Sequence, residues 1–168
     1  KRGMCCIYIH KFDVLYKYET GLPLSASENS VIGNIEAEVW AGYDLFKSLN
    51  GADCFHCHNG PLMRVKKFSN NGLDIEFSDQ GRALVTQNPD DEGKFKVPSL
   101  RNLSATGPYM HDGRFNSLEE VIEHYSTGIQ QSETLDPLIE FANQGGVQLD
   151  ELEKQWLKKV LLSLNDTT

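Results

Sequence analysis

The chain has 168 residues, 39% of them hydrophobic, and 16 basic against 24 acidic side chains give it a formal net charge of −8. That size suits one cored domain with an arm and leaves little room for two. The acidic balance argues against a general affinity for nucleic acid or anionic membrane and fits partners with basic or neutral faces, and no apolar run approaches the ~20 residues that span a bilayer.

In chain order, residues 1–34 carry little periodicity. An apolar patch from Ile7 to Tyr18 precedes Gly21-Leu22-Pro23 and the polar run Ser25-Ala26-Ser27-Glu28-Asn29-Ser30, which predicts a short helix or extended arm and then a linker. The adjacent Cys5 and Cys6 read as free thiols in that arm, in preference to a strained vicinal disulfide or the capture of another Cys. The chain begins at Lys1 and shows no signal peptide, as expected of a mature form or a piece of a longer protein.

From Ile35, the residues Ile35, Val39, Gly42, Leu45, Phe46 and Leu49 recur at three- and four-residue steps and predict an amphipathic helix. Gly42 on its inner face costs about 1 kcal/mol relative to Ala, so it implies close approach of another helix. The expected partner lies near the C-terminus, where Leu149, Leu152, Trp156, Val160, Leu161 and Leu164 also follow helical spacing. Directly after the first helix comes Cys54-Phe55-His56-Cys57-His58. Cys-x-x-Cys-His is the spacing of covalent haem c attachment, with thioether bonds to both cysteines and the second His as an axial iron ligand. A thioredoxin-like site wants a βαβ context and a zinc site a second Cys or His pair; the sequence offers neither. Such attachment normally follows export, so a periplasmic location is expected. Two terminal helices crossing beside a haem make a mainly α, cytochrome c-like domain. Its expected extent is residues 35–168, after an arm and linker over 1–34.

Residues 60–93 dissolve into turn signals, including Asn70-Asn71-Gly72, Asp79-Gln80-Gly81 and Asn88-Pro89-Asp90-Asp91, with room for a short β-hairpin. Residues 94–116 stay irregular and carry Met110, His111 and Arg114. Ser117-Leu118-Glu119-Glu120 then fits a capping box, followed by the inner face Leu118, Val121, Ile122 and Tyr125 and a stop at Gly128.

The group opposite His58 decides whether a bound haem relays electrons or takes up small molecules. Met110, His111, His124 and Tyr125 compete for that place. Met110 sits at a separation typical of small cytochromes c, and a thioether ligand raises the reduction potential. At about 100° per residue, Tyr125 shares the inner face of its helix, whereas His124 is turned roughly 120° from the centre of that face. A core aromatic with a satisfied hydroxyl is the competing reading of Tyr125. His56 reads as a solvent-facing spacer, and Met63 follows His58 too closely to reach the opposite face.

Four segments taken together resemble the C-terminal half of the bacterial di-haem cytochrome c peroxidases and the related MauG-type proteins. They are Cys54-Phe55-His56-Cys57-His58-Asn59-Gly60-Pro61; Gly93-Lys94-Phe95-Lys96-Val97-Pro98-Ser99-Leu100-Arg101-Asn102; Pro108-Tyr109-Met110-His111-Asp112-Gly113-Arg114-Phe115; and Ser117-Leu118-Glu119-Glu120-Val121-Ile122-Glu123-His124-Tyr125. The resemblance covers about residues 35–166. It implies two cytochrome c-like domains, of which this chain is the second. The N-terminal haem of such proteins has an open face where peroxide reacts, and the C-terminal haem is six-coordinate and stores or relays electrons. At the helix position of Tyr125 the peroxidase branch carries Met and the MauG-like branch Tyr, which favours Tyr125 as distal ligand and leaves Met110 as a pocket residue.

The resemblance further implies a calcium ion between the domains, with oxygens from Thr106 and Pro108 and the remaining protein ligand from the other domain. It puts His111 near the haem propionates and the interdomain path, as a catalytic candidate. It makes Arg101 a candidate partner for a propionate. Only one haem motif is present, and the peroxidatic domain and the aromatic residue between the haems are not in the chain. Phe12-Asp13 and Leu15-Tyr16-Lys17-Tyr18 loosely match the segment joining the domains, as expected of a fragment or truncated gene.

The expected function is therefore electron relay in a haem c domain of a di-haem oxidoreductase that uses hydrogen peroxide. The whole protein would oxidise a cytochrome, a small copper protein or a protein side chain. A stand-alone mono-haem electron carrier with Met110 as distal ligand is the alternative, and an oxygen-dependent haem enzyme built from the same domain pair is a third.

Overall fold

The structure is a computed structural model that describes residues 11–165; Cys5 and Cys6 lie outside the described residues. It is mainly helical, with α1 (Lys11–Glu19), α2 (Ala26–Ile32), α3 (Ala37–Lys47), the single turn α4 (Ala83–Thr86), α5 (Leu118–Thr127) and α6 (Glu151–Leu162). The strands β1 (Phe68–Ser69) and β2 (Phe95–Lys96) form an antiparallel pair, with Phe68 opposite Lys96 and Ser69 opposite Phe95. The ladder thus joins the two ends of a long excursion rather than a local hairpin. Among the described residues no helix is long and apolar enough to cross a membrane.

The core sits where α3 crosses α6. Val39, Tyr43 and Phe46 of α3 meet Leu157, Val160 and Leu161 of α6, with Leu149 and Leu164 beyond its ends. Gly42 is what brings the helices together: a Cβ there would lie 2.0 Å from the carbonyl oxygen of Trp156. The close approach expected of this glycine is therefore direct backbone-to-backbone contact. α6 starts with a capping box, in which Asp150 accepts from the amides of Leu152 and Glu153 while Glu153 reaches back to the Asp150 amide.

Three details differ from the periodic reading. Leu49 is exposed because α3 ends at Lys47, and Tyr43 takes the buried place expected of Leu45. In α6, Leu157 is buried while Leu152 is exposed, because the face turned to α3 is rotated by one residue. Of the short helix or extended arm expected before residue 34, the structure has the helix, α1, whose Phe12 and Leu15 join the core cluster, and a second helix, α2, stands in place of the expected linker. The Phe12 ring meets Tyr43 at 4.9 Å and Phe46 at 5.2 Å, both edge-on. A nine-residue helix shows too few turns for its stripe to register as a period.

α2 is held by a Ser25–Glu28 capping box and by Lys17 of α1, which contacts Glu28 at 2.6 Å. The Lys17 hydrogen bond, followed by those from the Ser25 amide and hydroxyl, brings the Glu28 carboxyl down to about 2. α5 has the predicted boundaries, with Ser117 and Glu120 forming its capping box and Gly128 at its C-cap.

Candidate functional site

The Cys-x-x-Cys-His motif follows α3 through a tight turn in which Ala52 donates its amide to the Leu45 carbonyl (2.9 Å) and Asp53 has φ +48°. Cys54–His56 is a 3-10 turn, and the amides of Cys57 and His58 both donate to the Cys54 carbonyl, at 3.2 and 2.9 Å. One helical turn thus sets positions i, i+3 and i+4 on the same side, which groups Cys54, Cys57 and His58. Phe55 points from the motif into the core, 6.4 Å from the Phe46 ring. His56 faces Asp53 at 2.7 Å and is partly exposed, as expected of a spacer.

The two thiols are free rather than paired with each other. Burial, then Asp53 and Cys57, pushes the Cys54 thiol up to about 12, and burial pushes Cys57 up as well. These are protonated, unbridged sulfurs. The imidazole of His58 is held by its Nδ1, which lies 3.3 Å from the Met63 carbonyl, and the Pro98 carbonyl also faces the ring. Donation from Nδ1 fixes the tautomer whose Nε2 carries the lone pair, the state a metal ligand requires. Burial lowers His58 to about 4, so the ring is neutral at ordinary pH.

The two carbonyls that hold His58 are positioned from a distance. Ser99 donates its hydroxyl to the Leu62 carbonyl at 2.6 Å. Arg101 donates to the Pro61 carbonyl at 3.0 and 3.2 Å and grips Asp13 of α1 with two nitrogens, at 2.6 and 2.9 Å. The guanidinium is thus the tie between α1, the loop after His58 and the segment around Pro98.

Tyr125, on α5, is held by Asn71, whose Nδ2 lies 3.2 Å from the phenolic oxygen. Its hydroxyl is buried: burial raises it to about 12 against the opposing Asn71 hydrogen bond, and the thiols of Cys54 and Cys57 add to the rise. Tyr125, Cys54 and Cys57 therefore share one low-dielectric region although 71 and 68 positions separate the first from the other two. The donor set of two unpaired thiols, one imidazole nitrogen and one phenolic oxygen has the chemistry that a covalently attached haem with two axial ligands requires. Among the described residues, no group of three or more His, Cys, Asp or Glu side chains could hold a metal ion on its own.

His124 is buried too, at 5% exposure, which the helical-face reading did not anticipate. α5 is covered on a second flank, where His124 Nε2 donates to the Asn71 carbonyl at 3.1 Å. Burial depresses its protonation, and its ring is committed to the backbone rather than to the thiols. His111 is exposed and stacks on Phe95 at 3.6 Å between ring centroids. Met110 has φ +72°, and its sulfur lies 3.5 Å from Asn71 Nδ2. Thr106 and Pro108 lie in an exposed turn, where the Thr106 hydroxyl donates to the Leu103 carbonyl at 3.2 Å.

The residues that sequence reasoning missed are Asn70 and Asn71. Asn71 Nδ2 is 3.2 Å from the Tyr125 hydroxyl as well as 3.5 Å from Met110 Sδ, so one amide touches both rival ligands. Asn70, 1% exposed, donates to the hydroxyls of Ser132 (2.9 Å) and Thr134 (3.0 Å) and accepts from the Gly72 amide at 2.9 Å. Gly72 has φ +69°, and a Cβ on it would lie 2.6 Å from Ile129. The sequence shows this loop only as an Asn-Asn-Gly turn signal.

No protein-family model matches the chain. It is 35% identical over 124 residues to the cytochrome-c peroxidase IdrP1 of Denitromonas iodatirespirans, an alignment covering 56% of this chain and 32% of that protein. It is 41% identical over 86 residues to the cytochrome c551 peroxidase of Nitrosomonas europaea, covering 49% and 25%. To the methylamine utilization protein MauG of Methylophilus methylotrophus it is 37% identical over 94 residues, covering 56% and 28%. In structure it is similar, with a TM-score of 0.70 and 30% identity, to a MauG-like protein associated with microbial copper homeostasis, over 83% of this chain and 47% of that one. The chain spans a third or less of the length of these curated relatives.

Proposed function

Because the chain belongs to the family of the cytochrome c peroxidases and MauG, we propose that it is the haem c electron-transfer domain of a di-haem, hydrogen-peroxide-using oxidoreductase. The family implies haem c. In this reading Cys54 and Cys57 would carry the thioether bonds, and His58 and Tyr125 would be the residues that ligate the iron. Haem bound there supplies a reversible one-electron couple, and an anionic oxygen ligand favours its oxidised states. The polypeptide's part is to hold those ligands. The Met63 carbonyl orients His58, and Asn71 donates to the Tyr125 oxygen.

The observation that carries this reading is the turn that groups the unpaired Cys54 and Cys57 with His58, whose Nδ1 is held by the Met63 carbonyl. A second cytochrome c-like domain would supply the face where peroxide reacts. Residues 35–168 are the haem domain in this proposal, with α1 and α2 packed against it, and the periplasm is its compartment. His111, exposed on Phe95, is the proposed group on the path toward the other domain, and the Thr106 and Pro108 oxygens would serve calcium only together with that domain. A cytochrome, a small copper protein or a protein side chain would be oxidised by the whole molecule.

Met110 defines a second reading, a mono-haem carrier with sulfur opposite His58, because its sulfur shares the amide that holds Tyr125. Maturation of the chain with the haem c attachment machinery tests the main proposal. One haem should stay on the denatured polypeptide, and Cys54→Ala combined with Cys57→Ala should abolish that attachment. The loaded chain should turn over little peroxide, since both axial positions are filled. Steady peroxide consumption at rates typical of enzymes, with Tyr125 still bound, would overturn it.

A further inference from the structure

We propose that Asn71 is the positioning residue that selects Tyr125 over Met110 as the ligand opposite His58, an inference that rests on the His58/Tyr125 reading above. The amide nitrogen of Asn71 has two hydrogens, and the two acceptors within its reach are the two rival ligands, Tyr125 Oη at 3.2 Å and Met110 Sδ at 3.5 Å. The same contact acts on them in opposite ways. Donation to a phenolic oxygen stabilises its anionic form through a charge-assisted bond and leaves a further lone pair for the iron. A thioether sulfur is a weak acceptor, and an N–H aimed at it occupies electron density that ligation would need. Asn71 thus strengthens the oxygen as a ligand and holds back the sulfur.

Selection of this kind requires an amide that cannot swing aside, and the loop supplies that rigidity. On one side Asn70 is locked by Ser132, Thr134 and the Gly72 amide. On the other, Gly72 occupies the left-handed region against Ile129, and its carbonyl accepts from the Gln130 amide at 2.7 Å. Between them the Asn71 carbonyl is held by His124 Nε2. The amide is therefore fixed through its own backbone, and α5 carries both the group it selects and the imidazole that anchors it. Met110 is constrained independently, with its backbone at φ +72° between Tyr109, whose amide donates to Phe115 (2.7 Å), and His111, stacked on Phe95.

The test is the ferric near-infrared magnetic circular dichroism spectrum and the midpoint potential of the haem-loaded chain. Asn71→Leu keeps the approximate side-chain volume and removes both donors; Asn71→Ser, too short to reach either acceptor, serves if the first variant does not take up haem. Both should gain a sulfur-to-iron charge-transfer band that the wild type lacks, with an upward shift of the potential. Asn71→Leu combined with Met110→Leu should lose the band again. Tyrosinate ligation retained in both Asn71 variants, with the potential unmoved, would overturn the role of Asn71 and leave the ligation reading standing. A sulfur band already present in the wild type, together with a silent Tyr125→Phe, would overturn the ligation reading and this proposal with it.

Discussion

Around the crossing of α3 and α6 the chain is held by apolar burial: Tyr43, Phe46, Val160 and Leu164 are fully enclosed, and the backbones touch at Gly42. The loops between α3 and α5 are held differently. There the fixed points are polar side chains reaching across long stretches of sequence, such as Asn70 to Ser132 and Thr134, Arg101 to Asp13, and Lys67 to Asp136. The first region makes the fold stable, and the second sets the positions of the proposed ligands. Each region should therefore respond to its own class of perturbation.

The largest effect is expected in the core. Gly42→Val puts a branched side chain where even a Cβ would lie 2.0 Å from the Trp156 carbonyl oxygen. The helices must separate, at a cost of about 3 kcal/mol or more. Thermal melting followed by far-ultraviolet circular dichroism should show a midpoint lower by roughly 6 °C or more. An unchanged midpoint would mean that the crossing is not the main support of the fold.

A pair of variants of similar cost sharpens the contrast. Val160→Ala removes two fully buried methyl groups and adds a cavity, for about 2 kcal/mol. Asn70→Ala strips partners from two hydroxyls and one amide, also for about 2 kcal/mol. The ferric haem spectrum should be unchanged by the first and altered by the second, because Asn70 sets the loop that carries Asn71. Equal spectral responses would erase the distinction between the regions.

The smallest expected effect is a response to acid. Burial opposes ionisation of Asp136, but the Lys67 ammonium and the Leu138 amide, both bonded to it, help hold the carboxyl below its ordinary 3.8. A depressed carboxyl stabilises the folded state fully above its unfolded value, and that contribution is lost as pH falls through the folded value. Because the Asp136 amide donates to the Asn70 carbonyl at 3.0 Å, loosening should spread from this ion pair to the loop. Below about pH 3.8 amide exchange at residues 70–72 should rise before that of α3 and α6. Simultaneous loss of protection in both regions would contradict this order.

The core was legible in the sequence to the extent that it is periodic. Gly42, the Ser117–Glu120 box and the crossing of the terminal helices all follow from helical spacing and capping chemistry. What escaped was either too short or too distant. Phe12 and Leu15 belong to a helix of few turns, and burial of His124 comes from a loop covering a second flank of α5. The Cys-x-x-Cys-His turn was visible because its three groups are local. Asn71 was not, because its partner Tyr125 lies 54 positions away and a long-range hydrogen bond leaves no period in the chain.

The most direct test of the central claim is the ligand set of the ferric haem-loaded chain, read by optical and magnetic circular dichroism spectra of the wild type and Tyr125→Phe. Coordination by His58 and Tyr125 predicts no sulfur-to-iron charge-transfer band in the wild type and a changed ligation in the variant. A sulfur band in the wild type, with Tyr125→Phe spectrally silent, would contradict it and make Met110 the ligand of a simple electron carrier.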